Sequence, residues 1–520
     1  MHATGRQPQR APDGAPLHYE CHLPEQTTLY RLVQQHAASF IAHAEASTGS
    51  ALPRFIKNEF DAFLECGILA HGFLRLRCGE FGHDKLLAFS CKRRGFCPSC
   101  GARRMSQTAA HLVDHVIPRV PVRQWVLSLP ISLRLLLAAQ PELVTPLLQV
   151  VQRVVTRHLL DGAELTAEQG HGGAVTLNQR FGSAANLNVH LHCLVLDGVY
   201  RCDADGAPTF VEVSPPTDDE LHALLQKVIT RLMKMLTRRS VLIEEMGQTY
   251  LGEPDADVDE ARTLRTLQAA AVTYRIAFGS RAGQKVLTLR GAMPRETATR
   301  QPLCADIDDF SLHAAVRVDA HDRRRLEQLC RYITRPALSD ERVQLNAAGQ
   351  VELKLKTPWR DGTTHLVTSP LEFMQRLAAL VPRQRLHLIR FGVRITSLRE
   401  VSGPPLREHG VLAPNARLRS LVAPPGPPAQ AQAATEAAAA AECEVETVQA
   451  RPRPISWARL LKRVFDIDMH HCPNCCAGEL KIIAAILERP VIQKILDHLG
   501  LDPQPPPRGR AREPEPHFAT

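Results

Sequence analysis

Residues Asn188-Val189-His190-Leu191-His192-Cys193-Leu194-Val195-Leu196-Asp197-Gly198 set two histidines one residue apart inside an apolar run of strand length. Strand side chains alternate faces, so Val189, Leu191, Cys193 and Val195 point one way and Asn188, His190 and His192 the other. Both imidazoles then leave one surface, where they either pair as ordinary histidines or converge on a single metal ion without backbone strain. Further strands are expected over 124–129 and 174–179, and amphipathic helices over 141–160 and 219–242. Strands and helices mixed in that order suit an α+β domain around a central antiparallel sheet.

A second constraint is RRRLEQLCRYITRP, residues 323–336. At helical spacing Leu326, Leu329, Cys330 and Ile333 form the core stripe, and Arg325, Gln328, Tyr332 and Arg335 share the other face until Pro336 stops the helix. A tyrosine flanked by Arg331 and Arg335 is placed to meet a phosphodiester, the cations holding the phosphate while the phenol attacks phosphorus. The plainer reading is a surface tyrosine with a packed ring and a wet hydroxyl. Residues 285–290 and 351–356 alternate as strands. The latter pairs as a hairpin with 364–368 across Asp361-Gly362, turning Lys354 and Lys356 outward, where they could lie along a phosphate backbone. Ser369-Pro370-Leu371-Glu372 carries an N-cap, a first-turn proline and a capping-box glutamate.

The 520 residues, 44% of them hydrophobic, allow two to four folded domains. A net charge of +9 from 63 basic and 54 acidic residues leans toward a polyanionic partner. The most apolar stretch, 126–139, is interrupted by Pro130 and Arg134, and no charged segment followed by an apolar core opens the chain, so a cytoplasmic protein without membrane contact is expected. Fourteen cysteines in such a chain read as thiols and metal ligands. Cys97-Pro98-Ser99-Cys100-Gly101 is a knuckle that clasps zinc, and Cys78, Cys91, Cys97 and Cys100 are the expected Zn²⁺ ligands. Cys78-Gly79-Glu80-Phe81 offers Phe81 where a second knuckle would have cysteine, which leaves the fourth ligand open between Cys91 and His83; Phe81→Cys is expected to supply the missing thiolate. A second knuckle, Cys472-Pro473-Asn474-Cys475, is a possible further zinc site behind a basic amphipathic segment over 457–465.

Taken in order, Gln179-Arg180-Phe181-Gly182-Ser183, Asn186-Leu187-Asn188, His190-Leu191-His192, Leu196-Asp197-Gly198-Val199-Tyr200, Arg331-Tyr332-Ile333-Thr334-Arg335-Pro336 and TPWRDGTTHLVTSPLEFMQRLAA (357–379) resemble the HUH single-strand endonucleases, and most closely the insertion sequence 91 family of rolling-circle transposases. The resemblance covers roughly 60–500. It implies an HUH-type domain in which Tyr332 forms a 5′-phosphotyrosine with single-stranded DNA at transposon ends. His190 and His192 would hold Mg²⁺ or Mn²⁺, with Gln179 as third ligand and His171 as its alternative. Arg325, Arg331, Arg335, Lys354 and Lys356 would hold DNA, and the host replication machinery would extend the released 3′ hydroxyl near the nucleoid. Gln328 stands one helical turn before Tyr332, where some relatives carry a second tyrosine, so a single-tyrosine enzyme is implied. A plasmid replication initiator or relaxase would share the histidines and tyrosine without the Cys-rich front; a non-catalytic DNA-binding remnant is the other alternative, with 392–408 reading as an insertion. The expected division is a leader (1–20), an N-terminal helix with a zinc module (21–110), a catalytic domain (111–422), a Pro/Ala-rich linker (423–450), a small helical and Cys-knuckle module (451–503) and a tail (504–520).

Overall fold

Six antiparallel strands make the central sheet, in the order Cys304–Ile307, Phe310–Val318, Val122–Ser128, Leu187–Leu196, Gly173–Phe181 and Leu406–Gly410. The computed structural model describes residues 23–202, 207–245, 248–251, 259–291, 302–382, 406–424, 463, 472 and 479–512. The expected insertion falls mostly outside them, as do Cys475, the leader, and nearly all of the linker and the basic segment over 457–465.

The histidine strand, Leu187–Leu196, lies inside this sheet with a partner on each side, and its alternation decides what covers each face. Val189, Leu191, Cys193 and Val195 join the larger core, under helices Val144–Gly162 and Asp218–Arg238. Leu194 and Leu196 face the other way, into a second core containing Leu112, Val113 and Val116 together with Leu326, Cys330 and Ile333 of the tyrosine helix, Arg323–Ile333. The histidines are on this second face. Just past the strand, Asp197 receives both Arg123 Nε and Nη2 at 2.8 Å, with side-chain exposures of 4% and 3%, and Arg317 Nε at 2.8 Å. This buried pair ties the end of the histidine strand to the neighbouring Val122–Ser128.

The hairpin forms between Val351–Lys354 and Thr363–Thr368, and Leu287–Arg290 adds to the free side of Thr363–Thr368. Both capping boxes, Thr217 with Glu220 and Ser369 with Glu372, start their helices. The front of the chain is built from helices Thr28–Thr48 and Arg54–Glu65, the hairpin Phe73–Cys78 and Asp84–Ala88, and the knuckle helix Pro98–His111, which runs on into Leu112–Val116. A strand from far down the chain, Leu480–Ile486, pairs with Phe73–Cys78, so the front sheet contains residues from both ends of the sequence. Among the described residues no single helix is long and apolar enough to cross a membrane.

Candidate active site and metal centre

Four sulfurs meet at the front of the molecule: those of Cys66, Cys91, Cys97 and Cys100 all lie within 4.8 Å of one another. Cys66 Sγ is 3.7 Å from Cys100 Sγ and 3.7 Å from Cys97 Sγ, and Cys91 Sγ is 3.4 Å from Cys100 Sγ. A tetrahedral Zn²⁺ with Zn–S bonds of about 2.3 Å requires sulfurs about 3.8 Å apart, so the spacing fits. The local structure explains the gathering. Cys97 caps the knuckle helix, Gly101 N–H closes the turn on Cys97 O at 3.0 Å, and Cys91 N–H points at Cys66 Sγ at 3.3 Å. Hydrogen bonds from Cys66, Cys91 and Cys97 hold the Cys100 thiol far below the ordinary thiol range, while that same sharing, with burial, raises Cys91 and Cys97.

The cluster takes Cys66 where the sequence pointed to Cys78. Cys66 follows helix Arg54–Glu65, which folds back over the knuckle with Phe60 and Phe63 stacked against Phe96. Cys78 instead ends a strand of the front sheet and packs with Leu76, Leu480 and Cys472. Phe81 belongs to that same turn, which removes the expectation that Phe81→Cys completes the Cys97/Cys100 site. His83 is exposed, its carbonyl accepting from Cys78 N–H at 2.8 Å.

On the central sheet Gln179 lies directly across from His190 in register, and the His190 and His192 rings are 4.9 Å apart. His190 Nδ1 lies 2.9 Å from Asn188 O, where an Nδ1–H donates and leaves Nε2 with its lone pair. The Gln124 amide holds His192 Nδ1 at 2.8 Å. Gln179 Nε2 donates to Ile333 O at 3.1 Å, the residue after Tyr332, so the amide oxygen is turned away from the tyrosine helix. That Gln179 Oε1 and His192 Nε2 are both buried without a hydrogen-bond partner. Both atoms thus keep hydrogen-bonding or ligating capacity that no protein group uses. Burial, with the nearby Arg335 charge, pushes His190 down to about 4 and lowers His192, which keeps both imidazoles neutral at pH 7.

Tyr332 is 46% exposed, with Arg335 4.3 Å over one part of its ring and Lys356 Nζ 4.1 Å from the ring centroid. Arg342 reaches Lys354 O at 2.8 Å and also Ser183 O, tying the hairpin to the loop before the histidine strand. Burial, then Arg335 and Arg342, bring Lys356 down to about 8. Two cations, Arg335 and Lys356, therefore flank the Tyr332 ring. The knuckle helix also reaches this point: a Cβ on Gly101 would stand 2.5 Å from Pro336 Cβ, and Thr334 Oγ1 lies 3.5 Å from Met105 O.

Comparison with known proteins decides the family. Residues 32–129 match the family model described as Transposase zinc-binding domain, of the insertion sequence 91 kind, and residues 173–399 match the one described as Putative transposase. The chain belongs to the insertion sequence 91 family of transposases. No curated protein and no solved structure matches it. The zinc-binding match spans all four clustered cysteines and the other spans both histidines and Tyr332, so a structural Zn²⁺ and a DNA-cleaving role follow from the family.

In this transposase Gln179, His190, His192, Tyr332, Arg335 and Lys356 come together. His171 sits in a separate small sheet opposite Tyr200. Arg325 and Lys354 are exposed and Arg331 half-buried on the elements that carry Tyr332 and Lys356. Sequence reasoning missed Cys66, Gln124 and Arg342. For Gln124 a signal existed, because it shares the histidine face of the neighbouring strand two residues before Val126, the register partner of His192.

Proposed function

We propose that this transposase nicks one DNA strand by transesterification at Tyr332, the chemistry of rolling-circle transposition. The phenolic oxygen attacks phosphorus, the bond from phosphorus to the 3′ oxygen breaks, and that oxygen takes a proton to leave as a 3′ hydroxyl. The 5′ phosphate stays on the tyrosine, so the bond energy is kept for rejoining. Arg335 and Lys356 flank the ring and receive the phosphate charge. His190 Nε2, His192 Nε2 and Gln179 Oε1 are the atoms that would hold Mg²⁺ or Mn²⁺; for His192 this requires the Gln124 amide, whose Nε2 lies 2.8 Å from His192 Nδ1, to flip so that its oxygen accepts from Nδ1–H. A bound divalent ion would polarise the scissile phosphate; two imidazoles in the donor set favour Mn²⁺ at least as well as Mg²⁺.

The observation that carries the reading is the bond from Gln179 to Ile333 O. It locks the third candidate ligand to the helix turn that presents Tyr332, so metal site and nucleophile are held by one contact. The substrate is single-stranded DNA at the element ends, and the 3′ hydroxyl is left for host polymerase. Gln328, one turn before Tyr332, is exposed on the same helix and is no nucleophile, so each site carries one adduct at a time.

Mass spectrometry of protein incubated with single-stranded DNA from an element end tests this. The expected adduct is on Tyr332, with Tyr332→Phe retaining DNA affinity and forming none. Linkage at Tyr200, Tyr274 or any other residue overturns the assignment.

A further inference from the structure

The hairpin loop that carries Lys356 also carries Trp359, and the two side chains reach different places. Lys356 Nζ lies over the Tyr332 ring, whereas Trp359 meets Tyr274 edge to face, with ring centroids 5.2 Å apart and planes at 82°. At most about 10 Å of extended chain separates the two loop residues. Trp359 N–H bonds to Thr363 O at 2.9 Å and Gly362 N–H returns to Trp359 O at 2.9 Å, which fixes the backbone under the indole. Tyr274 comes from outside the hairpin, just past helix Asp259–Val272. It holds φ +57°, a left-handed conformation that is costly for an aromatic residue and collects at functional sites, and Val286 N–H, bonded to Tyr274 O at 3.0 Å, keeps it there. Both rings are half-buried, and an edge-to-face pair leaves at least one face of each ring uncovered by the other.

The polar end of Tyr274 is held too. Burial raises its phenol, while the charges of Arg134 and Arg376 and the Asn186 amide draw it back, so all three stand near the hydroxyl. Asn186 and Arg376 are buried, and Asn186 Oδ1 and Arg376 Nη2 have no hydrogen-bond partner. The Arg134 guanidinium, anchored through Nε to Leu129 O at 2.5 Å, is within electrostatic reach of both Tyr274 and His190. We propose that Tyr274 and Trp359 form a nucleotide subsite, where a base flanking the scissile phosphate leaves the strand's own stack and stacks on these rings while Arg134 meets the backbone phosphate. The inference rests on the reading of the substrate as single-stranded DNA. Every base offers a π-face, so such a platform holds the strand without reading its sequence. Rings already fixed lose little freedom on binding, and the stacking energy is left to position the phosphate at Tyr332.

Oligonucleotides from the element end, with one abasic nucleotide walked through the positions flanking the scissile phosphate, test this on Tyr332→Phe protein, where binding is read without cleavage. One abasic position should weaken binding on the order of tenfold. Adding Trp359→Ala should weaken the intact strand by a similar factor and remove the penalty at that position alone, whereas Trp359→Phe, which keeps an aromatic ring in the packing, should retain most of it. A flat profile in the Tyr332→Phe protein overturns the subsite without any Trp359 variant, and so does a penalty that persists unchanged in Trp359→Ala. Because cleavage plays no part in the readout, loss of the subsite leaves the Tyr332 reading intact; a protein that binds no single-stranded DNA overturns both.

Discussion

The four-cysteine cluster and the histidine strand are both built to gather donor atoms, yet they are closed to different degrees. In the cluster each sulfur lies within hydrogen-bonding reach of another, and the module around it is packed by Phe60, Phe63 and Phe96. In the histidine site Gln179 and His192 each spend one atom on the protein and leave the other unmatched, beside a half-exposed tyrosine. A donor set that satisfies itself fixes structure; one that keeps open positions has something left for a ligand. Gly101 and Pro336 join the two, since the knuckle helix rests against the residue that ends the tyrosine segment.

The strongest way to break this contrast is to disable each site and read both activity and stability. His190→Ala and His192→Ala are each expected to lower single-strand nicking by on the order of 10²–10³-fold or more with an unchanged thermal midpoint. Cys97→Ser is expected to lower the midpoint and release zinc, with nicking lost only in step with folded protein. Nicking at the parental rate in both alanine variants would move the metal site elsewhere; a stable, zinc-free Cys97→Ser protein that cannot nick would bring the cluster into the chemistry.

Next in size is a change that touches neither donor set. Asp197→Ala leaves the Arg123 guanidinium buried with only its bond to Ala314 O, at 3.0 Å, among these contacts. Stranding such a charge costs about 3–5 kcal/mol, read by denaturant unfolding. A loss below about 1 kcal/mol would mean that the histidine strand does not depend on this anchor.

These two regions were unequally legible in the sequence. Period-two alternation placed His190 and His192 on one face, and the helical stripe of Leu326, Cys330 and Ile333 turned Tyr332 outward, because both patterns are local and each is enforced by a core on one side. Cys66 was not legible, since it joins the cluster only through the packing of helix Arg54–Glu65 across the knuckle, and no spacing rule links it to Cys91. The pairing of Leu480–Ile486 with Phe73–Cys78 was invisible for a related reason: strand partners so distant in sequence leave no periodic trace. Arg342 looked like any surface arginine, and its three backbone acceptors exist only once the hairpin and the Ser183 loop have met.

Gly101→Ala probes the joint between the two regions. Alanine in a helix gains about 1 kcal/mol over glycine, but the added methyl meets a proline ring that cannot rotate away, at a cost of about 1–3 kcal/mol. The net change in stability is therefore small, about 0–2 kcal/mol of loss. Nicking should fall further than that loss accounts for, because the strain falls on Pro336 next to the Tyr332 turn. A variant that loses stability and retains the full specific activity of its folded fraction would show the joint to be structural only.

The smallest expected effect is on pH dependence, and it sharpens what the cations do. Lys356 Nζ lies over the tyrosine ring, not in line with its hydroxyl, so its part is to carry charge toward phosphate and not to take the phenolic proton. Its ammonium sits near 8 because burial, Arg335 and Arg342 all disfavour the charge. A bound phosphate reverses that balance and raises it. Binding then takes up a proton above pH 8, and affinity must fall as pH rises between the two values, by up to about tenfold per pH unit. Measured on Tyr332→Phe, which keeps the phenol's own titration out of the readout, single-stranded DNA affinity should be level below about pH 7.5 and decline above pH 8. Lys356→Arg keeps its charge throughout and should flatten the decline. The same decline in Lys356→Arg would assign the titration to another group; affinity that rises with pH would mean that the neutral amine, acting as an acceptor, is the form that meets DNA.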